Sequence, residues 1–158
     1  MLSTMQAGNI WLTGAEIHDR TNAERHVLGL DFVTEDRLDR GISKTMSVAE
    51  NVAATNYERA NIQRRGFVSS ARLAEFAAEK IQEFDVRGAK PKTPIGTLSG
   101  GNMLQVVIAR ELQREPRLLR FSQPTPGLDS GDSEFVYDRI LASANAARGV
   151  LLISSELS

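Results

Sequence analysis

The sequence has no cysteine and only two histidines. Disulfides, thiolate metal sites and cysteine catalysis are thereby excluded, in agreement with a reducing compartment. The histidines, His18 and His26, have neither metal-ligand nor triad spacing. No charge of one sign dominates: 19 Lys and Arg stand against 20 Asp and Glu, a formal net charge of -1. The basic footprint of a nucleic-acid binder is therefore missing. No apolar run approaches the roughly 20 residues that span a bilayer, and the N-terminus lacks a basic segment followed by an apolar one. These absences point to a cytoplasmic chain with no direct membrane insertion and no nucleic-acid partner. What remains is ordinary globular composition, with length enough for one core.

One stretch organises the chain: Thr97-Leu98-Ser99-Gly100-Gly101-Asn102, running into the apolar-periodic residues 103–112. A serine and two glycines at the mouth of a helix leave backbone N–H groups without intrahelical partners, and the helix dipole adds partial positive charge. Such a turn can hold a phosphate. Glycine permits close backbone approach, and the Ser99 hydroxyl can cap the helix or donate to an anion. Taken alone, the pattern is only a helix cap, and that reading would normally win. Ser99 as a hydrolase nucleophile is the weaker reading, because an elbow needs Gly-x-Ser-x-Gly and a histidine base.

In chain order, residues 9–13 read as a strand closed by Gly14. Thr21 with Glu24, and Ser47 with Glu50, are capping-box patterns opening two short helices, the first ended by Gly29 and the second running from about 48 to 54. Residues 30–33 form a strand between them. Arg64-Arg65-Gly66 reads as an elbow, and Ser70 as the cap of a helix whose stripe Leu73, Phe76, Ala77, Ile81 and Phe84 faces a core. Residues 88–96, with Gly88, Pro91, Pro94 and Gly96, form a loop. The periodicity of 104–112 buries one helix face, and 118–121 form a strand after Pro116. Ser130 caps a last helix with Phe135, Val136, Ile140, Leu141 and Ala144 on its buried side, before the strand 150–153. Helix, strand, turn, helix, strand is a right-handed crossover unit of a parallel sheet.

Leu98-Ser99-Gly100-Gly101-Asn102 resembles the signature motif of ATP-binding-cassette (ABC) ATPases, with asparagine where most have glutamine. Pro124-Thr125-Pro126-Gly127-Leu128-Asp129 resembles the end of their Walker B segment and the D-loop. Phe32-Val33-Thr34-Glu35-Asp36-Arg37, then Gly41, then Met46-Ser47-Val48-Ala49-Glu50-Asn51, is similar to the second ATPase half of bacterial simple-sugar and nucleoside importers. Ser154-Ser155-Glu156-Leu157 fits the same subfamily. The ordered set is far more specific than any single motif.

The resemblance implies an α/β fold, a partial P-loop NTPase (ABC ATPase) core with a parallel sheet plus an inserted helical subdomain. Residues 1–158 would be one partial domain. Within it, 8–46 would be strand-rich with Glu35 in a Q-loop-like segment, and 47–96 a helical subdomain against the permease. Residues 97–158 would carry the signature helix, a degenerate Walker B, the D-loop and the switch segment. ATP and Mg²⁺ are the implied cofactors, bound mainly by a partner cassette. The implied partners are that second nucleotide-binding domain and transmembrane permease subunits, with the chain peripheral at the inner face of the cell membrane.

Departures from the family pattern shape the expected mechanism. The four lysines, Lys44, Lys80, Lys90 and Lys92, do not follow the glycine spacing of a phosphate loop, so the chain looks like a cassette missing its N-terminal portion. Ser122 and Gln123 stand where Walker B aspartate and glutamate are expected. Serine brings no charge to Mg²⁺, and glutamine orients a water without accepting its proton. Serine, Ser154 or Ser155, also replaces the switch histidine. Arg120 in an apolar strand is a further departure, because an unpaired buried guanidinium is costly. No catalytic or metal-ligating residue is therefore expected. Ser99, Gly100, Gly101 and Asn102 would clamp the γ-phosphate of ATP bound elsewhere, with Asp129 at the cassette interface. The alternative is an interaction or regulatory remnant that binds no nucleotide.

Overall fold

The computed structural model describes residues 8–33, 41–57, 62–64 and 66–155. At its N-terminal end, β1 (Trp11–Leu12) and β2 (Ala15–Glu16) make a small antiparallel hairpin. Thr13 and Gly14 both have positive φ, 49° and 85°, as a tight two-residue hairpin turn requires. The strand expected over 9–13 is only two residues long because this turn already begins at Thr13. α1 (Asn22–Val27) opens on the Thr21–Glu24 capping box, and Gly29 at φ 89° carries the chain out of it into β3 (Leu30–Val33). The Ser47–Glu50 capping box opens α2 (Val48–Ala53) in the same way.

Between α2 and the next long helix, the structure adds a hairpin that the sequence pattern did not announce. β4 (Gln63–Arg64) and β5 (Phe67–Val68) pair around Gly66, whose φ is 84°. α3 (Ser70–Glu83) follows; its cap is Ser69, without a side-chain bond, so Ser70 is the first helical residue and not the cap. A 3-10 turn (Ile95–Thr97) then leads into α4 (Gly100–Leu112). β6 (Leu118–Ser122), α5 (Ser130–Asn145) and β7 (Gly149–Ile153) complete the chain. Asp129, not Ser130, caps α5, its carboxylate accepting from the Asp132 N–H at 2.8 Å.

The three longer strands form one parallel sheet in the order β3-β6-β7. Register pairs Val33 with Phe121 and Phe121 with Leu152, so one face gathers alternate residues of all three strands. Val33, Leu119 and Phe121 on that face are completely buried and share a core cluster with Leu104 and Ile108 of α4 and Val136 of α5. Each such side chain contributes roughly 1.5–3 kcal/mol through burial. α4 buries far more than the single face its periodicity suggested: every residue from Leu104 to Ala109 is buried, because sheet, α2 and α5 all contact it.

α5 differs in the opposite direction. Its buried line runs through Val136, Ile140 and Ser143, whereas Leu141 is 60% exposed and Ala144 is also exposed. The helix meets its neighbours along a narrow stripe, and those two residues fall outside it. Ser143 is tolerated there because its hydroxyl donates to the Arg139 carbonyl at 2.7 Å. Arg120 points to the sheet face opposite the core. It is half-buried, and its guanidinium lies 5.5 Å from the centre of the Phe32 ring, an aromatic partner in place of a carboxylate. No helix among the described residues is long and apolar enough to cross a membrane.

Candidate functional site

The N-terminus of α4 is built by three side-chain bonds. Ser99 has extended backbone (φ -63°, ψ 159°), and its Oγ accepts from the Asn102 N–H at 3.3 Å and from Asn102 Nδ2 at 2.7 Å. Asn102 Oδ1 in turn accepts from the Arg87 N–H at 2.7 Å, tying the turn to the segment that follows α3. With its acceptor sites engaged, the Ser99 hydroxyl proton is left to donate outward. Gly100 and Gly101 occupy the first two helical positions, where N–H groups have no acceptor within the helix. Ser99 is exposed and Gly100 half-buried, so these donors border solvent. Donors arranged in this way are of the kind that can hold an anion.

Gly101, by contrast, is buried, and the residue that covers it carries no motif. A Cβ built on Gly101 would coincide with the Asp132 carboxylate, so any larger residue there would have to displace that side chain. Asp132 belongs to the turn of α5 capped by Asp129. The expected signature turn and D-loop residue thus come together through a third residue that sequence reasoning missed. Burial raises the Asp132 carboxyl above the usual range; neighbouring Asp129 adds to the rise and Arg87 opposes it.

At the end of β6 a second pair of expected site residues meets. Gln123 leaves the strand at φ 45°, its N–H donating to the Ile153 carbonyl at 2.7 Å. Its side-chain Oε1 accepts from the Ser155 N–H at 3.0 Å and from the Ser155 hydroxyl at 3.2 Å. The positions expected for Walker B and for the switch are thus joined, by neutral groups. Ser122 and Ser154, both half-buried, add no charge, so the residues here do not fit Mg²⁺. Glu35, expected in the Q-loop-like segment, lies outside the described residues.

One buried cluster was invisible in sequence. His26 follows the Thr21 cap, Asp31 lies in β3 and Glu111 near the end of α4, yet they offer ligand atoms within 4.8 Å of one another. His26 Nδ1 contacts Asp31 Oδ1, Arg114 Nε lies 3.5 Å from Asp31 Oδ2, and Arg110 Nε 2.7 Å from Glu111 Oε1. Two guanidinium groups already answer the two carboxylates, so the group is an ion-pair network bracing α1, β3 and α4. Burial raises the Glu111 carboxyl, against the pull of Arg110.

Comparison with known proteins places this geometry. The ABC transporter family pattern matches residues 1–126. A nucleoside import ATP-binding protein of Lactococcus lactis (NupA) is 36% identical over 99% of this chain, and a ribose import ATP-binding protein of Bacillus subtilis (RbsA) 31% identical over 97%. The chain spans 31% of the length of each. Among solved structures, a dimeric ATP-binding cassette in a post-hydrolysis state with ADP and Pi superposes with a TM-score of 0.74 at 20% identity. That likeness covers 99% of this chain and 66% of the solved one, and the shared fold is that of an ABC ATPase.

Proposed function

Because this chain belongs to the ABC transporter family, we propose that it serves as an ATP-binding-cassette unit of a nucleoside- or sugar-type importer. It lends residues 99–102 to ATP and Mg²⁺ held mainly by a partner cassette, and it does not hydrolyse ATP itself. The observation that carries this reading is the contrast between its two ends of chemistry. The turn at Ser99 is assembled, with Asn102 holding the serine and outward-facing donors beside it. The end of β6 has Gln123 bonded to Ser155 where hydrolysis would need a carboxylate. A glutamine amide cannot take the proton of an attacking water.

In this reading the chain sits at the inner face of the membrane through its permease subunits, with Asp129 at the boundary between cassettes. The import functions of its relatives point to a nucleoside or a sugar as the transported class. The test mixes the chain with a phosphate-loop-bearing cassette from the nucleoside-importer relatives and measures ATP turnover. Stimulation by the wild-type chain, lost on Ser99→Arg, is the expected result. Equal stimulation by both proteins would contradict the trans-acting turn and favour a pure interaction module.

A further inference from the structure

At the end of α4 remote from Ser99, the last turns of α3, the residues that follow α4, the middle of α5 and the α5–β7 connection line an open cavity of about 380 Å³. That volume is at the small end of the range for ligand sites. We infer that the cavity binds a small hydroxylated anion, a sugar phosphate or a sugar acid. Its anion-binding pole is a pair of guanidinium groups. Arg139 lies 5.0 Å from the centre of the Phe84 ring and 4.9 Å from that of Phe135, contacts that orient its plane without answering its charge. Its Nη2 donates to the Glu83 carbonyl at 3.4 Å, and among the described residues no carboxylate pairs with it. Arg148 Nη2 stands 3.9 Å from Glu115 Oε1, beyond hydrogen-bond distance, and that glutamate side chain is 82% exposed.

The third cation of the lining, Lys80, is already answered by Glu83 at 2.6 Å and Glu79 at 3.3 Å. The two guanidinium groups are therefore the ones left to take the paired oxygens of a phosphate or carboxylate. The need for hydroxyl groups comes from two amides. Asn56 is 4% exposed, and neither its Oδ1 nor Gln113 Oε1 accepts a hydrogen bond among the described residues. Their nitrogens are committed, Asn56 Nδ2 to the Arg110 carbonyl at 3.5 Å and Gln113 Nε2 to the Val52 carbonyl at 2.7 Å, which fixes the end of each amide that is oxygen. Buried acceptors are ordinarily paired with donors. An ammonium could donate to them, but three cations line the cavity against the two carboxylates of Glu83 and Glu115, and a further positive charge would be repelled. Neutral hydroxyls are the donors that fit. Phe76 and Leu112 supply an apolar wall for the carbon skeleton between the two poles.

The test titrates ribose 5-phosphate, gluconate, inorganic phosphate and ribose separately into the ¹⁵N-labelled full chain, with the amides of Asn56, Gln113, Arg139 and Arg148 as reporters. Ribose 5-phosphate or gluconate is expected to bind about tenfold more tightly than inorganic phosphate or ribose, because only a hydroxylated anion meets both poles. Which of the two binds decides between a phosphate and a carboxylate head group. Arg148→Gln should weaken that binding about tenfold. Gln113→Met should weaken it too while leaving the affinity for inorganic phosphate unchanged. Thermal melts on the same samples check folding, and Arg148→Gln, in a connection between elements, carries the test by itself if Gln113→Met does not fold. Equal affinities for inorganic phosphate and the hydroxylated anions, or an affinity unmoved by Arg148→Gln, would overturn the assignment. So would shifts confined to other amides, or no binding up to about 10 mM.

Discussion

At Gly101 a methyl group would have to share its place with the Asp132 carboxylate, which must then leave the position it holds beside α4. Gly101→Ala is therefore expected to destabilise the chain by about 1–3 kcal/mol, the usual cost of overpacking. Helix propensity alone predicts the reverse, since alanine is favoured over glycine in a helix by roughly 1 kcal/mol. Asp132→Ala in the same chain should remove most of the penalty. A urea-unfolding double-mutant cycle measures the coupling, and a coupling near zero would show that the two residues do not meet. Asn102 illustrates the same scale differently: where the family pattern has glutamine, the shorter amide bridges Ser99 and the Arg87 backbone.

Among the elements, the ones readable in advance are those specified locally. Thr21 with Glu24 and Ser47 with Glu50 sit three residues apart, close both halves of their boxes, and fix where α1 and α2 begin. Gly29 and Gly66 mark turns because their positive φ is a property of single residues. The cap of α5 is Asp129 and not the adjacent Ser130; both are good caps, and only the 2.8 Å bond to the Asp132 N–H distinguishes them. Leu141 looked buried by its spacing, but which stripe of α5 is covered depends on what packs there. The contact of Asp132 with Gly101 and the cluster of His26, Asp31 and Glu111 join distant segments. No periodicity encodes them.

That cluster yields a prediction about α4. Because burial raises the Glu111 carboxyl, its contribution to stability is fully present below the ordinary glutamate value of 4.5 that holds in the unfolded chain, and is lost as pH rises through the folded value. Glu111→Gln keeps the shape and an acceptor for Arg110 while removing the titration. The stability difference, variant minus wild type, should therefore grow as pH rises across that window, with a slope of at most about 1.4 kcal/mol per pH unit for one proton. Denaturant unfolding at a series of pH values measures it. A flat difference would mean that the network holds Glu111 ionised at no cost.

For the whole molecule, the sheet has one face packed by α4 and α5 and another bearing Phe32, Arg120 and the half-exposed Leu151 and Ile153, at 47% and 45%. Parallel sheets are ordinarily covered on both faces. Among the described residues, the turn at 99–102 and the helix behind it pack on the first face, while Leu151 and Ile153 leave the second partly open. The central claim is that the chain engages ATP only when a partner holds the nucleotide. Calorimetric titration of Mg-ATP into the purified chain, with folding checked on the same sample by circular dichroism, tests this directly. A folded chain showing no binding up to millimolar ATP is the predicted result; micromolar binding would mean that its own residues hold the phosphates and would contradict the account.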